Sequence, residues 1–176
     1  MAGFVGRLSG AIRLAPTAYE EVEADRRATG QALAVVLLSS VATGIGMTGF
    51  GAAAANIPIN VCVALAAWMV WASLTCYIGT GLLPEPATRA DIGELLRTTG
   101  FATGPGLFRA LGLIPVVGAP LFLLASVWML AAMVLAVRQA LDYRSLARAV
   151  GVCLLGLGLS LILAMVIGNL FGPTLS

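Results

Sequence analysis

Between Ala28 and Pro84 the chain carries no charged side chain, and the same is true from Ala110 to Val137 and from Ala149 to Ser176. A helix needs about 20 apolar residues to cross the hydrocarbon core of a bilayer, so the first run holds two crossings and the last holds one. Only 10% of the 176 residues are charged, 60% are hydrophobic, and the mean hydropathy is +1.00. These values belong to membrane chains rather than soluble domains. The expected class is an all-α integral membrane protein with no soluble domain.

The arginines set the expected number of crossings. All ten basic residues are Arg. Arg7, Arg13, Arg26 and Arg27 precede the first run, Arg89 and Arg97 follow it, and Arg138, Arg144 and Arg148 precede the last, whereas the connections near residues 53–58 and 114–119 are uncharged. Cytoplasmic loops collect arginine, so the three groups belong on one face. Residues 95–124 must then cross once and return. The result is five transmembrane helices, at about 31–52, 59–82, 98–114, 119–138 and 149–171, with a tail at 172–176. The N-terminus is expected in the cytoplasm and the C-terminus outside. The first 30 residues hold eight charges and no apolar core, so no signal peptide is expected and the first crossing is kept as an anchor in the inner membrane.

Residues 1–30 read as a cytosolic, interfacial segment. Over 3–14, Phe4, Val5, Leu8, Ala11 and Ile12 share one helical face, opposite Arg7, Ser9, Gly10 and Arg13. That is the pattern of a short amphipathic helix lying on the membrane with its arginines toward anionic headgroups. Pro16 ends it, and Thr17 with Glu20 has the spacing of a capping box for the next helix.

Within the crossings, Ser40, Gly44, Thr48 and Ala52 recur at a period of four, as do Gly156, Ser160, Ala164 and Gly168. Small residues in a straight stripe let membrane helices approach closely, so both stripes are candidate packing faces. Trp68 and Trp71 fall mid-crossing and are expected to pack against protein or line a cavity. Asn56 and Asn60 flank Pro58 as a turn with caps, and Asp91, Glu94 and Arg97 suggest an amphipathic lead into the third crossing. Gly104 and Pro105 should kink that crossing, which places it inside the bundle where neighbours satisfy the freed carbonyls. Pro115, Gly118 and Pro120 form the outer hairpin. Arg109 is the one charge within a crossing: it either snorkels to the outer interface or contacts an anion or partner. Arg138 is a second candidate for such a contact.

Several chemistries are absent from the sequence. With no histidine, imidazole cannot ligate haem or chlorophyll or serve a catalytic triad. There is no CxxC, HExxH or phosphate loop, and no serine has an evident base. Cys62 and Cys76 lie roughly 21 Å apart along one helix at 1.5 Å per residue, and with Cys153 they read as small packing residues. A non-enzymatic chain with no cofactor and no nucleic-acid partner is expected.

The sequence resembles the Yip family of five-span membrane proteins, which in eukaryotes interact with Ypt/Rab GTPases. The resemblance rests on Pro16-Thr-Ala-Tyr-Glu-Glu21, on Glu94-Leu-Leu-Arg-Thr-Thr-Gly100-Phe-Ala followed by Pro105, on Leu113-Ile-Pro-Val-Val-Gly118, on Val127-Trp128-Met-Leu, and on Val137-Arg138-Gln-Ala-Leu with Arg148-Ala149. It implies the five-span fold and a scaffold-like role. Only about 30 residues precede the first crossing, in place of the long cytosolic region of eukaryotic members, and the lysine-free composition is usual for a GC-rich bacterium. A GTPase partner is therefore not expected. Three functions stay open: an adaptor or accessory subunit that packs against another integral membrane protein or itself, for instance to seal lipid or leave a gap for quinone in a larger assembly; a small transporter or lipid-handling protein using Arg109 and the kinked third crossing; or a membrane-shaping protein acting through residues 3–14.

Overall fold

The computed structural model describes residues 3–171, with the side chains of Ala164 and residues 167–171 outside the description. It is all-helical among those residues, with no strand. Four helices are long and apolar enough to cross a membrane. They are α3 (Ala28–Thr48), the segment Ala54–Leu82 containing α4 (Ile57–Tyr77), α6 (Gly118–Ala140) and the stretch Leu146–Leu163 of α7 (Leu146–Phe171). Two short helices, α1 (Phe4–Ile12) and α2 (Pro16–Ala24), precede them. Between α4 and α6 stand α5 (Ile92–Ala102) and a 3-10 helix, Gly104–Leu113.

The third apolar stretch therefore differs from its expected form. Pro105 has no N–H to give to an α-helical ladder, and the chain responds by changing helix type after Thr103 rather than by kinking one α-helix. A 3-10 helix of 10 residues is unusually long. It is held because it lies between α3 and α6. Glycines make that approach possible: a Cβ at Gly46 would strike the carbonyl oxygen of Arg109, and one at Gly49 that of Gly112. Farther down, a Cβ at Gly100 would come within 2.7 Å of the Ala32 methyl, and one at Gly106 would meet the Ser39 hydroxyl. The contacts Ala32–Gly100, Ser39–Gly106, Gly46–Arg109 and Gly49–Gly112 rise together along both segments, so α5 and the 3-10 helix run beside α3 in the same direction.

One end of the bundle is a polar layer. Arg7, 4% exposed, donates to Asp25 at 2.7 Å, to Glu21 at 3.4 Å and to Gln31 at 3.2 Å. The Arg97 guanidinium donates twice to the Glu23 carbonyl, at 2.7 and 3.2 Å. Gln139 donates to Glu20, and Arg148 pairs with Glu85 at 3.7 Å. Burial, reinforced by Asp142, Glu94 and Glu20 and opposed by Arg97, pushes the Glu23 carboxyl up to about 7. The three arginine groups thus gather at one end. The chain's uncharged turns lie at the other, where Phe50 meets Phe122 edge-on at 5.5 Å.

Tyr143 locks the polar end. After α4 the backbone widens into a π-helical turn, Ile78–Leu82, which leaves carbonyls without their usual partners. The Tyr143 hydroxyl reaches the Gly79 oxygen at 3.0 Å and the Leu83 oxygen at 2.6 Å. Gly79 leaves room here for the Leu141 side chain, whose tip a Cβ would displace.

Several local expectations are corrected. Arg7 turns into the protein rather than toward headgroups, because Asp25 and Glu21 offer it charged partners. The apolar face of α1 lies against α5 and the start of the 3-10 helix, with Phe4 on Phe101 and Leu8 and Ile12 around Gly104. Val5 leaves that face and is 75% exposed. Thr17 does not cap α2: the helix starts at Pro16, so Thr17 is already inside it, and no side chain caps the start. The capping box is instead at α5, where Asp91 accepts from the Glu94 N–H at 2.8 Å and Glu94 accepts from the Asp91 N–H at 2.9 Å. Neither Asn56 nor Asn60 caps α4.

Candidate functional site

A cavity of about 680 Å³ opens inside the bundle, walled by α3, α4, α6, α7 and the 3-10 helix. Its origin is the change of helix type. α5 packs against α3, α4 and α6 and so fills the polar-end half of the interior, whereas the 3-10 helix withdraws between α3 and α6. The space it leaves beside α4 is the cavity. Trp68 marks the floor, its Nε1 donating to Thr99 of α5 at 3.1 Å.

The lining is almost wholly apolar. Val36 and Met47 of α3, Ala64 and Trp71 of α4, Met129 and Met133 of α6, and Leu157 of α7 are representative. The Ser40 and Thr43 hydroxyls are already used, donating to Val36 and Ser39 carbonyls one turn earlier. No carboxylate lines the cavity, and Arg109 is the single charge there. Its Nε donates to Ser126 at 3.0 Å, and its guanidinium lies 5.5 Å from the Phe122 ring centre, a cation–π arrangement. Beside it, Phe108 stacks on Trp128 with ring centres 5.6 Å apart. The arrangement can bind: it presents a long greasy slot with one cation. Among the described residues no group of His, Cys, Asp and Glu could hold a metal ion.

The expected site residues fall in different places. Ser40 and Gly44 line the cavity, and a Cβ on Gly44 would come within 3.0 Å of Ile57, so this part of the stripe faces α4 within the chain. Thr48 is the last residue of α3 and bonds its own turn. Ala52 lies beyond the helix in the turn, so the stripe does not continue to it. Gly156 packs beside Thr75 and Trp71 of α4, while Ser160 lines the cavity. Ala164 and Gly168 fall where side-chain surroundings lie outside the description. Gly104 and Pro105 open the 3-10 helix. Pro115 sits in the hairpin, Gly118 begins α6 against the Gly112 carbonyl, and Pro120 is in its first turn. Arg138 donates to the carbonyls of Tyr143 at 3.2 Å and Arg144 at 3.5 Å, which makes it a clasp on the end of α6, remote from Arg109.

Two features escaped sequence reasoning. The face that receives the 3-10 helix is Ser39 and Gly46 of α3 with Gly49 just past its end, spaced seven and three apart, not the period-four stripe. The cavity itself has no sequence signal beyond the two mid-helix tryptophans. Comparison with family models, with curated proteins and with solved structures finds no match.

Proposed function

We propose that this chain is a non-catalytic five-span protein of a bacterial inner membrane that handles lipid, taking a membrane-soluble guest into the cavity beside Arg109. The observation that carries the reading is the cavity itself: about 680 Å³, apolar, with one cation on its wall. Binding pockets commonly fall in the range of about 300–1,000 Å³ with few, well-placed polar groups. In this reading the third crossing, expected at about 98–114, is formed by α5 and the 3-10 helix, residues 92–113. At about 1.5 Å per α-helical residue and about 2.0 Å per 3-10 residue they reach about 36 Å, enough for a core of about 30 Å. Their parallel course beside α3 favours this, as does the gathering of arginines at one end; arginine-rich ends favour the cytoplasmic side, which supports an N-terminus in the cytoplasm and a C-terminus outside. The same five-span plan is what the Yip resemblance implies.

Purification in a mild detergent followed by native mass spectrometry tests the reading. A lipid retained at one per chain is expected, and delipidated protein that takes up none would overturn it. A reporter fused to the C-terminus tests the topology, since activity only on the cytoplasmic side contradicts five spans.

A second reading, an accessory subunit packed against another integral membrane protein, is favoured by α7. A Cβ added at Gly151 or Gly158 would meet nothing within 4 Å, so these glycines face open space rather than a neighbour in the chain. Small residues on an outward helix face admit a partner helix. A stoichiometric membrane-protein companion in the same purification would select this reading. Membrane shaping through residues 3–14 is disfavoured by α1, whose Phe4 and Leu8 lie against the protein rather than free for lipid.

A further inference from the structure

The cavity has a length and a polarity, and together they describe its occupant. Along α3 the lining runs from Val36 to Met47, along α4 from Asn60 to Trp71, and along α7 from Val150 to Leu161. Each stretch is 11 residue steps, about 16 Å of helix. That is close to half of the roughly 30 Å hydrocarbon core, the depth of one leaflet. A guest filling it lies along the bundle axis and ends near Trp68 and Trp71, where Trp68 is fixed to Thr99 of α5.

Arg109 stands toward the other end. Its carbonyl is level with Gly46, near the end of α3, and four residues of 3-10 helix, about 8 Å, separate it from the hairpin. No carboxylate among the lining residues neutralises it. The Ser126 hydroxyl accepts a hydrogen bond from Nε while donating one to the Phe122 carbonyl, so the guanidinium is held in place from one side. A guanidinium fork matches the oxygens of a phosphate.

We infer that the cavity holds one acyl chain of an anionic phospholipid from the leaflet at the hairpin end, its phosphate on Arg109 and its chain running inward to Trp68. The second chain stays in the bilayer, because the cavity is open rather than sealed. This rests on the lipid-handling reading and specifies the ligand and its direction.

Trp68 and Trp71 line the cavity and report on it directly. The full chain carrying Trp128→Phe is reconstituted in vesicles of phosphatidylcholine containing a minor fraction of chain-brominated lipid, and quenching of the remaining tryptophans is titrated. Brominated phosphatidylglycerol should be preferred over brominated phosphatidylcholine by about tenfold, the scale of a charge-assisted hydrogen bond. Arg109→Gln, checked for unchanged thermal unfolding, should bring the two lipids to parity. Equal quenching by both in the unaltered Arg109 protein overturns the anionic assignment while leaving lipid handling intact, and needs no Arg109 variant to interpret. Preference for a brominated free fatty acid over phosphatidylglycerol overturns the phospholipid. Failure of every brominated chain to quench beyond the level of soluble tryptophan analogue in the same vesicles removes both this inference and the reading beneath it.

Discussion

The main-chain carbonyl of Arg109 lies directly against the α-carbon of Gly46, so that a methyl group on Gly46 would occupy the space of the oxygen. Backbone meets backbone at this point, and no rotamer change can relieve an added atom. Gly46→Ala is therefore expected to push the 3-10 helix off α3 and destabilise the fold by about 1–3 kcal/mol. Gly158→Ala, facing open space, should be neutral or stabilising by up to about 1 kcal/mol through helix propensity. Thermal unfolding of both variants in one detergent gives the comparison. Equal midpoints would contradict the close approach.

Tyr143 is 4% exposed and serves two carbonyls of the π-helical turn. Tyr143→Phe keeps the ring and leaves those oxygens without their donor, a loss of about 1–3 kcal/mol. Because the turn joins α4 to the α6–α7 connection, the variant should also speed proteolysis near Arg144 under native conditions. An unchanged cleavage rate and midpoint would show that the hydroxyl is not needed there.

Glu23 makes the polar layer respond to pH. Its pKa rises from a usual 4.5 to about 7, first through burial and then through Asp142, Glu94 and Glu20 against Arg97. The folded state thus binds more protons than the unfolded state between these values, and stability falls as pH rises through that window. Asp25 and Glu85 act in the opposite sense. A hydrogen bond from Arg7, and one from the Arg144 N–H, hold them below the usual carboxylate range, so their contribution is lost as pH drops below about 4. The unfolding midpoint should peak near pH 5. Glu23→Gln should flatten the decline between about pH 4.5 and 7; a decline of the same steepness would assign it to another group.

Val116 adopts φ 69° in the hairpin and is 97% exposed. A β-branched residue pays about 1 kcal/mol or more for this left-handed conformation. Val116→Asn, which tolerates it, should raise stability by about 1 kcal/mol, read from the same unfolding curves. A lower midpoint would mean that the valine side chain is itself needed.

The distribution of charge made much of the fold legible. Arg7, Arg97 and Arg148, far apart in sequence, do meet acidic or carbonyl partners at one end, as their shared face required. The hairpin at Pro115 to Pro120 was legible for the same reason, since proline and glycine leave few alternatives. Local side-chain roles were not. Thr17 and Asp91 both have the spacing of a cap; Pro16 at the first helical residue puts Thr17 inside α2, whereas Asp91 stands just ahead of α5 and caps it. Arg7 reads as a lipid-facing cation until the fold delivers Asp25. The break at Gly104 and Pro105 was visible, but a broken pattern does not say that the chain will tighten into a 3-10 helix. The cavity follows from that choice alone, which is why only Trp68 and Trp71 hinted at it.

The proposed third crossing has a consequence for how the protein is made. Residues 92–113 combine a capped, charged start with glycines, proline and Arg109, and they do not form one apolar helix of spanning length. Such a segment leaves a translocation channel reluctantly by itself. Its stable place exists only once α3 is in the bilayer to receive Gly106, Arg109 and Gly112, and once α6 closes the other side. Insertion is thus expected to proceed with residues 92–140 entering as one hairpin beside an already placed α3. Mutations at Gly46 of α3, or at Gly49 just beyond its end, would then appear during biogenesis as chains of wrong topology, before any effect on the finished protein could be measured.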